Sequence, residues 1–120
     1  MKIEIDNRQA LLWNQVIKQL ARHWAIKKKM FDEWEEIVHW AVYQTKNKPE
    51  LPFKTPKTIK FEVWYKDKRR RDPDGVCIKI LLDSLVKAGV LVDDSYKEIE
   101  EISIRLKVGQ PIDKITINIL

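Results

Sequence analysis

The stretch that decides the fold is residues 59–89, IKFEVWYKDKRRRDPDGVCIKILLDSLVKAG, in which one hydrophobic pattern gives way to another. Apolar side chains first lie at every second position, as in a strand with one buried face, and they are Ile59, Phe61, Val63 and Tyr65. Over residues 76–87 the apolar positions recur at helical spacing, and Gly89 follows as a stop signal. The sequence therefore predicts a strand, a charged connection and a helix.

The part of the chain before this stretch predicts a short strand over residues 1–5 and then two helices. The first helix begins near Arg8, and its apolar positions are Leu12, Trp13, Val16, Ile17, Leu20 and Trp24. Asp32 and Glu35 have the spacing of a capping box, which predicts that the second helix begins at Asp32. Its expected buried face consists of Trp34, Ile37, Val38, Ala41 and Val42. Residues 46–58 hold three prolines and no periodicity, so they are expected to form a loop.

The part after this stretch predicts two more strands. Apolar residues alternate over residues 102–108 and again over 115–119, and the turn Gly109-Gln110-Pro111 separates the two runs. This arrangement is typical of a C-terminal β-hairpin. We therefore expect an α+β fold: a single small domain of residues 1–120, with one mixed β-sheet packed against two or three helices and a C-terminal β-hairpin.

Length and composition exclude several classes of protein. The 120 residues suit one domain, and no apolar run approaches the ~20 residues of a membrane span. The N-terminus lacks the apolar core of a signal peptide, so we expect a cytoplasmic protein with no membrane partner. Cys77 is the single cysteine, which excludes an internal disulfide and a cysteine-based zinc site.

Positive charge is concentrated in one short run. The chain has a formal net charge of +5, and residues 66–71, KDKRRR, account for +4 of it. A concentrated basic patch is what nucleic-acid phosphates recruit through counterion release. The alternative is a solvated edge of the sheet that binds nothing.

Two carboxylates follow the basic run directly. Pro73 stiffens the backbone between Asp72 and Asp74, and in an extended chain these two side chains point the same way. Neighbouring carboxylates repel unless a cation intervenes, and magnesium is the oxygen-seeking ion that such a pair accepts. The structural alternative remains open, because Asp74 is well placed as a helix N-cap and Asp-Pro-Asp-Gly is common in turns.

A second acidic pair and one lysine are further candidates. Asp93 and Asp94 follow a helix of ~12 residues, about 18 Å long, so they reach Asp74 only if the chain turns back along that helix. Otherwise they form a solvated turn. Lys79 lies in the first turn of the helix, where it either reaches into the acidic site or pairs with Asp83 at i+4, and spacing alone favours the ion pair.

The remaining reactive or aromatic residues have simpler interpretations. His23 and His39 lack a metal-ligand spacing, so they are interpreted as surface or packing residues. Cys77 has no obvious histidine partner and is interpreted as a packing thiol. Trp64 lies on the polar face of its strand, which makes it the one tryptophan worth considering for base stacking.

Taken together, residues 69–94 resemble the RusA-type Holliday junction resolvases. That family has an arginine-rich strand end, an Asp-x-Asp-Asn motif, a lysine on the next helix, an LDAL…AG run and an Asp-Asp pair. Here the corresponding segments are RRRDPDG, Lys79, LDSLVKAG and VLVDD. The sequence departs from the family at Gly75, where asparagine is usual, and the interval from Asp74 to Lys79 is one residue longer.

The resemblance implies a homodimer that cuts branched DNA symmetrically and uses magnesium. It assigns the metal to Asp72, Asp74 and Asp94, and it makes Lys79 the helix lysine that assists at the phosphate. The expected DNA-binding residues are Lys66, Lys68, Arg69, Arg70 and Arg71. Two other functions stay open: a protein that binds branched DNA without cutting it, and a purely structural domain in which RRRDPD neutralises itself.

Overall fold

A computed structural model describes residues 1–20 and 24–120, which form an α+β domain with one four-stranded sheet. In chain order its elements are β1 (Lys2–Asp6), α1 (Trp13–Leu20), α2 (Trp24–Gln44), β2 (Lys57–Trp64), α3 (Ile78–Lys87), β3 (Ile99–Lys107) and β4 (Lys114–Ile119), with a 3-10 turn over Pro73–Gly75. The predicted α+β class and the mixed sheet are confirmed. The interpretation of His23 falls outside the described residues.

The four strands form one sheet in the order β1-β4-β2-β3. β3 is parallel to β2, whereas β4 is antiparallel to both β1 and β2. The predicted C-terminal β-hairpin is therefore wrong, because β2 lies between β3 and β4. Burial explains the order: Ile115, Thr116 and Ile117 of β4 are all buried, while most of β3 is exposed or half-buried. The more apolar strand takes the centre of the sheet.

One face of the sheet and the helices share a single hydrophobic core. The alternating residues of β2 are buried as predicted, and Ile3, Ile5 and the isoleucines of β4 join them. The second helix begins at Trp24 and not at Asp32, so the capping-box prediction is wrong. The helix continues through this region because Met30 and Phe31 pack against the core, while Lys28 pairs with Asp32 at 3.5 Å on the exposed side.

The third helix ends as the sequence predicts. It begins at Ile78, two residues later than expected, and its last turn is followed by Gly89 with a φ of +79°. That left-handed conformation favours glycine, and it lets the chain reverse after the helix. No helix within residues 1–20 and 24–120 is both long and apolar enough to cross a membrane.

Candidate functional site

The connection between β2 and α3 carries the first acidic pair. Asp72 is extended, with φ −102° and ψ 134°, as expected for a residue that precedes proline. Pro73–Gly75 then form a 3-10 turn, which the Gly75 N–H closes by donating to the Asp72 carbonyl at 3.0 Å. Because the turn contains Asp74, the prediction of an extended backbone through both aspartates holds only for Asp72.

Both aspartates nevertheless line one pocket of about 480 Å³. The basic side of this acidic pocket consists of Arg70 and Arg71. Asp72 and Asp74 are exposed, and neither carboxylate makes a hydrogen bond or ion pair with a described residue. The helix-cap alternative for Asp74 is wrong, since Cys77 occupies the N-cap of α3. Two carboxylates that contact no hydrogen-bonding or charged partner in the described part of the chain thus lie beside two arginines.

The other wall of the acidic pocket comes from the start of α1, which sequence reasoning did not connect with the aspartates. Trp13, Asn14 and Ile17 line it, and Trp13 is 39% exposed. Two backbone contacts hold this helix in place: Leu12 forms an isolated bridge with Val76, and the Cys77 N–H donates to Leu11 at 2.8 Å. The available sequence signal was the pair Trp13 and Ile17, which lies beside the main apolar stripe of the helix.

Within the basic run, one arginine is neutralised by the aspartate of the same run. The Arg71 guanidinium donates two hydrogen bonds to the Asp67 carboxylate, at 2.5 and 2.9 Å, and lies 3.8 Å above the centre of the Tyr65 ring. The Arg69 N–H adds a bond of 3.0 Å to the same carboxylate. The Arg71 contact, followed by that backbone bond, holds the pKa of Asp67 well below its usual range.

The other four cations of the run have no such partner. Lys66, Lys68, Arg69 and Arg70 are exposed and form no ion pair with any carboxylate in the described part of the chain. The loop that carries them is anchored by a bond of 2.9 Å from the Lys66 N–H to Asp113. Positive charge therefore projects from a fixed loop directly next to the acidic pocket.

The second acidic pair does return to the beginning of α3. Lys79 donates hydrogen bonds to Asp83 at 2.9 Å and to Asp94 at 3.2 Å, so the predicted i+4 ion pair is confirmed and Asp94 joins it. Residues 90–94 form no strand, but the Phe53 N–H holds this return by donating to Val90 at 3.1 Å. The bond from Lys79 lowers the pKa of Asp94, while Asp83 and then Asp94 raise the pKa of Lys79.

The structure does not gather the three expected metal ligands into one cluster. Among residues 1–20 and 24–120, no group of three or more His, Cys, Asp or Glu side chains is placed to hold a metal ion. Asp72 and Asp74 share a pocket, whereas Asp94 is engaged by Lys79. Magnesium commonly uses only one or two protein carboxylates and completes its shell with water and phosphate. The exposed pair Asp72 and Asp74 fits that requirement.

Gly75, the departure from the family pattern, is not required by the backbone. Its backbone does not adopt a positive φ, and a Cβ added there would meet no atom within 4 Å. Between Asp74 and Lys79 the chain consists of the end of the 3-10 turn, the link Val76–Cys77 and the first residue of α3, Ile78. The backbone conformation and the space around Cβ therefore both permit a side chain at this position.

Two other candidates have structural roles. The Trp64 indole donates to Glu62 at 2.6 Å and lies beneath the Lys114 ammonium, which is 5.3 Å from the ring centre. Cys77 is buried, and burial raises the pKa of its thiol. Burial matches the interpretation of Cys77 as a packing residue. The Trp64 indole N–H is occupied by Glu62, and one face of its ring lies against Lys114.

No known protein family matches the chain, and a search of curated proteins finds no significantly similar sequence. The resemblance to the RusA-type resolvases consequently remains a prediction carried by residues 69–94.

Proposed function

We propose that this protein is a magnesium-dependent endodeoxyribonuclease that resolves four-way DNA junctions by symmetric phosphodiester hydrolysis. The observation that carries the proposal is the acidic pocket, where the unpartnered carboxylates of Asp72 and Asp74 lie beside Arg70. Carboxylates that serve only a structural purpose at this position would be expected to pair with the adjacent arginines. Instead, Arg71 pairs with Asp67, and neither aspartate forms an ion pair with any residue that the structure describes.

In this proposal Asp72 and Asp74 hold the metal, and Asp94 is its third ligand. Bound magnesium would supply a Lewis acid for the scissile phosphate and increase the acidity of water. The structure holds Asp94 at Lys79, so Asp94 would have to leave that contact to serve as a ligand. Lys79 would then be available to carry its positive charge to the phosphate, where negative charge accumulates during hydrolysis.

The basic loop would contact the phosphate backbone of the DNA. Arg69 and Arg70 can each donate several hydrogen bonds to phosphate oxygens, and Lys66 and Lys68 add diffuse positive charge. Contacts of this kind fix the position of the backbone but carry no base sequence, so selection of a branched substrate would rest on its shape. Arg71 contributes mainly by holding the loop, because Asp67 offsets its charge.

Symmetric cutting requires two active sites, which a twofold homodimer in the cytoplasm would provide. The partner DNA and the dimer are required by the assigned reaction, and the compartment is proposed alongside them.

The direct test is cleavage of a synthetic four-way junction by the purified chain with magnesium. Asp72→Asn and Asp74→Asn should each abolish cutting while binding is kept or tightened, because a charge that repels phosphate is lost. Asp32→Asn is the matched control, since Asp32 lies on the exposed side of α2 and, among the described residues, forms its ion pair with Lys28 alone. Undiminished cutting by the Asp72 variant would refute its assigned role.

A second candidate function is binding of branched DNA without cleavage. The observation in its favour is the contact between Lys79 and Asp94, which occupies the expected third ligand at 3.2 Å. This candidate predicts that the wild-type chain binds the junction but leaves it intact at every magnesium concentration. Cutting by the wild-type chain, absent in Asp72→Asn, would exclude it.

A further inference from the structure

A second pocket of about 480 Å³ also borders the basic loop. Arg8, from the connection between β1 and α1, lines it together with Arg69, Arg70 and Arg71, and Trp34 and Tyr65 also line it. This arginine pocket shares Leu12, Arg70 and Arg71 with the acidic pocket. The two pockets are therefore adjacent parts of one surface.

The described lining of the arginine pocket contains no carboxylate. Of its four arginines, only Arg71 has a carboxylate partner, Asp67, while Arg8, Arg69 and Arg70 have none in the described part of the chain. The Arg8 guanidinium lies 6.0 Å from the centre of the Trp34 ring. Like charges brought to one pocket repel, and a bound anion removes that repulsion.

A buried hydrogen-bond donor adds to the argument. Tyr65 is 1% exposed, and its hydroxyl has no hydrogen-bond partner among the described residues. Burial raises the pKa of Tyr65, so the hydroxyl keeps its proton and remains a donor. Buried donors are nearly always paired in folded proteins. Tyr65 lines the arginine pocket, so a small rearrangement on binding would give its hydroxyl an acceptor.

We propose that the arginine pocket binds a second phosphate of the nucleic-acid strand whose scissile phosphate lies at Asp72 and Asp74. The choice of nucleic acid rests on the proposed function, whereas the anion site rests on the pocket itself. Because Arg70 lies between the pockets, one strand can pass from the first to the second. Arg8 becomes a DNA-binding residue that lies far in sequence from the basic run.

The experiment measures binding of single-stranded oligonucleotides to the full chain without magnesium, so that no catalysis is involved. Arg8→Gln should weaken binding about tenfold and reduce the salt dependence by about one phosphate contact. Arg105→Gln is the matched control, because Arg105 is an exposed arginine on β3 outside both pockets. Arg8→Lys should recover part of the affinity, and thermal unfolding verifies that each variant is folded.

Two single-stranded oligonucleotides of the same sequence, one with and one without a 5′-phosphate, identify which phosphate the pocket binds. A loss confined to the phosphorylated strand supports a terminal group, and an equal loss for both supports an internal phosphodiester. Wild-type affinity in folded Arg8→Gln, or an equal loss in Arg105→Gln, would overturn the inference. Absence of junction cutting would not affect this result, so the two proposals can fail separately.

Discussion

Arg70 and Arg71 are adjacent in the basic run but make different contacts, and this difference gives the sharpest prediction. Arg70 is exposed and has no described carboxylate partner, whereas Arg71 is bonded twice to Asp67 and lies over Tyr65. Arg70→Gln should therefore weaken junction binding and leave the fold unchanged. Arg71→Gln should lower the free energy of unfolding and have little effect on the salt dependence of binding, although the two residues are adjacent.

The expected magnitude follows from counterion release. Each phosphate contact on duplex DNA contributes about −0.9 to the slope of log K against log salt concentration. The four cations of the run without a described partner, Lys66, Lys68, Arg69 and Arg70, thus correspond to a slope of about −3.6 per chain if each contacts one phosphate. Arg70→Gln should reduce the steepness by about 0.9, and Arg71→Gln by much less.

The assay is fluorescence anisotropy with a labelled four-way junction, without magnesium, at salt concentrations from about 50 to 200 mM. Lys60→Gln serves as the control, since Lys60 is an exposed cation of β2. Thermal unfolding of each variant is measured in parallel. If Arg71→Gln flattens the salt dependence as much as Arg70→Gln does, with an unchanged melting temperature, the assignment of Arg71 to the fold is wrong.

Three further predictions concern single positions. Gly75→Asn should leave the free energy of unfolding within about 0.5 kcal/mol of wild type by urea denaturation, because a Cβ meets no atom there, and a larger loss would contradict that geometry. Tyr65→Phe should raise stability in the absence of ligand by about 1 kcal/mol, since it removes an unpaired buried hydroxyl, and a lower melting temperature would reveal a partner. Lys79→Met should cost about 0.5–1 kcal/mol at pH 7, because it removes two largely exposed ion pairs. The lowered pKa of Asp94 means that its share is present above the unfolded pKa and is lost as the pH falls through the folded pKa, so the difference from wild type should shrink as the pH is lowered below 3.8, the ordinary pKa of an aspartate. A difference that grows in acid would refute this explanation.

Local patterns in the sequence determined much of the secondary structure and one ion pair. Alternation defined the buried face of β2, helical spacing defined α3, and Gly89 ended that helix. Lys79 and Asp83 pair because residues four apart on a helix are neighbours wherever the helix lies. Each of these features depends on residues a few positions apart, so the chain need not be folded to reveal them.

The candidate site depended on contacts between distant residues, and there the sequence was less informative. It selected Asp72, Asp74 and the basic run, but it did not show that α1 and Arg8 border them or that Asp67 partners Arg71. Local prediction was also wrong about the beginning of α2. In that region the packing of Met30 and Phe31 outweighed the capping signal at residue 32.

Strand order was decided only by the tertiary structure. The alternation of β3 and β4 around Gly109 is equally compatible with a hairpin and with two strands separated by a third. Inserting β2 between them lets β4 bury four of its six residues and leaves the more polar β3 at the edge. The same packing turns the chain back after α3 and brings Asp94 to Lys79. The sequence by itself therefore determined which segments are strands, helices and charged loops, whereas burial of the whole core decided which of them became neighbours.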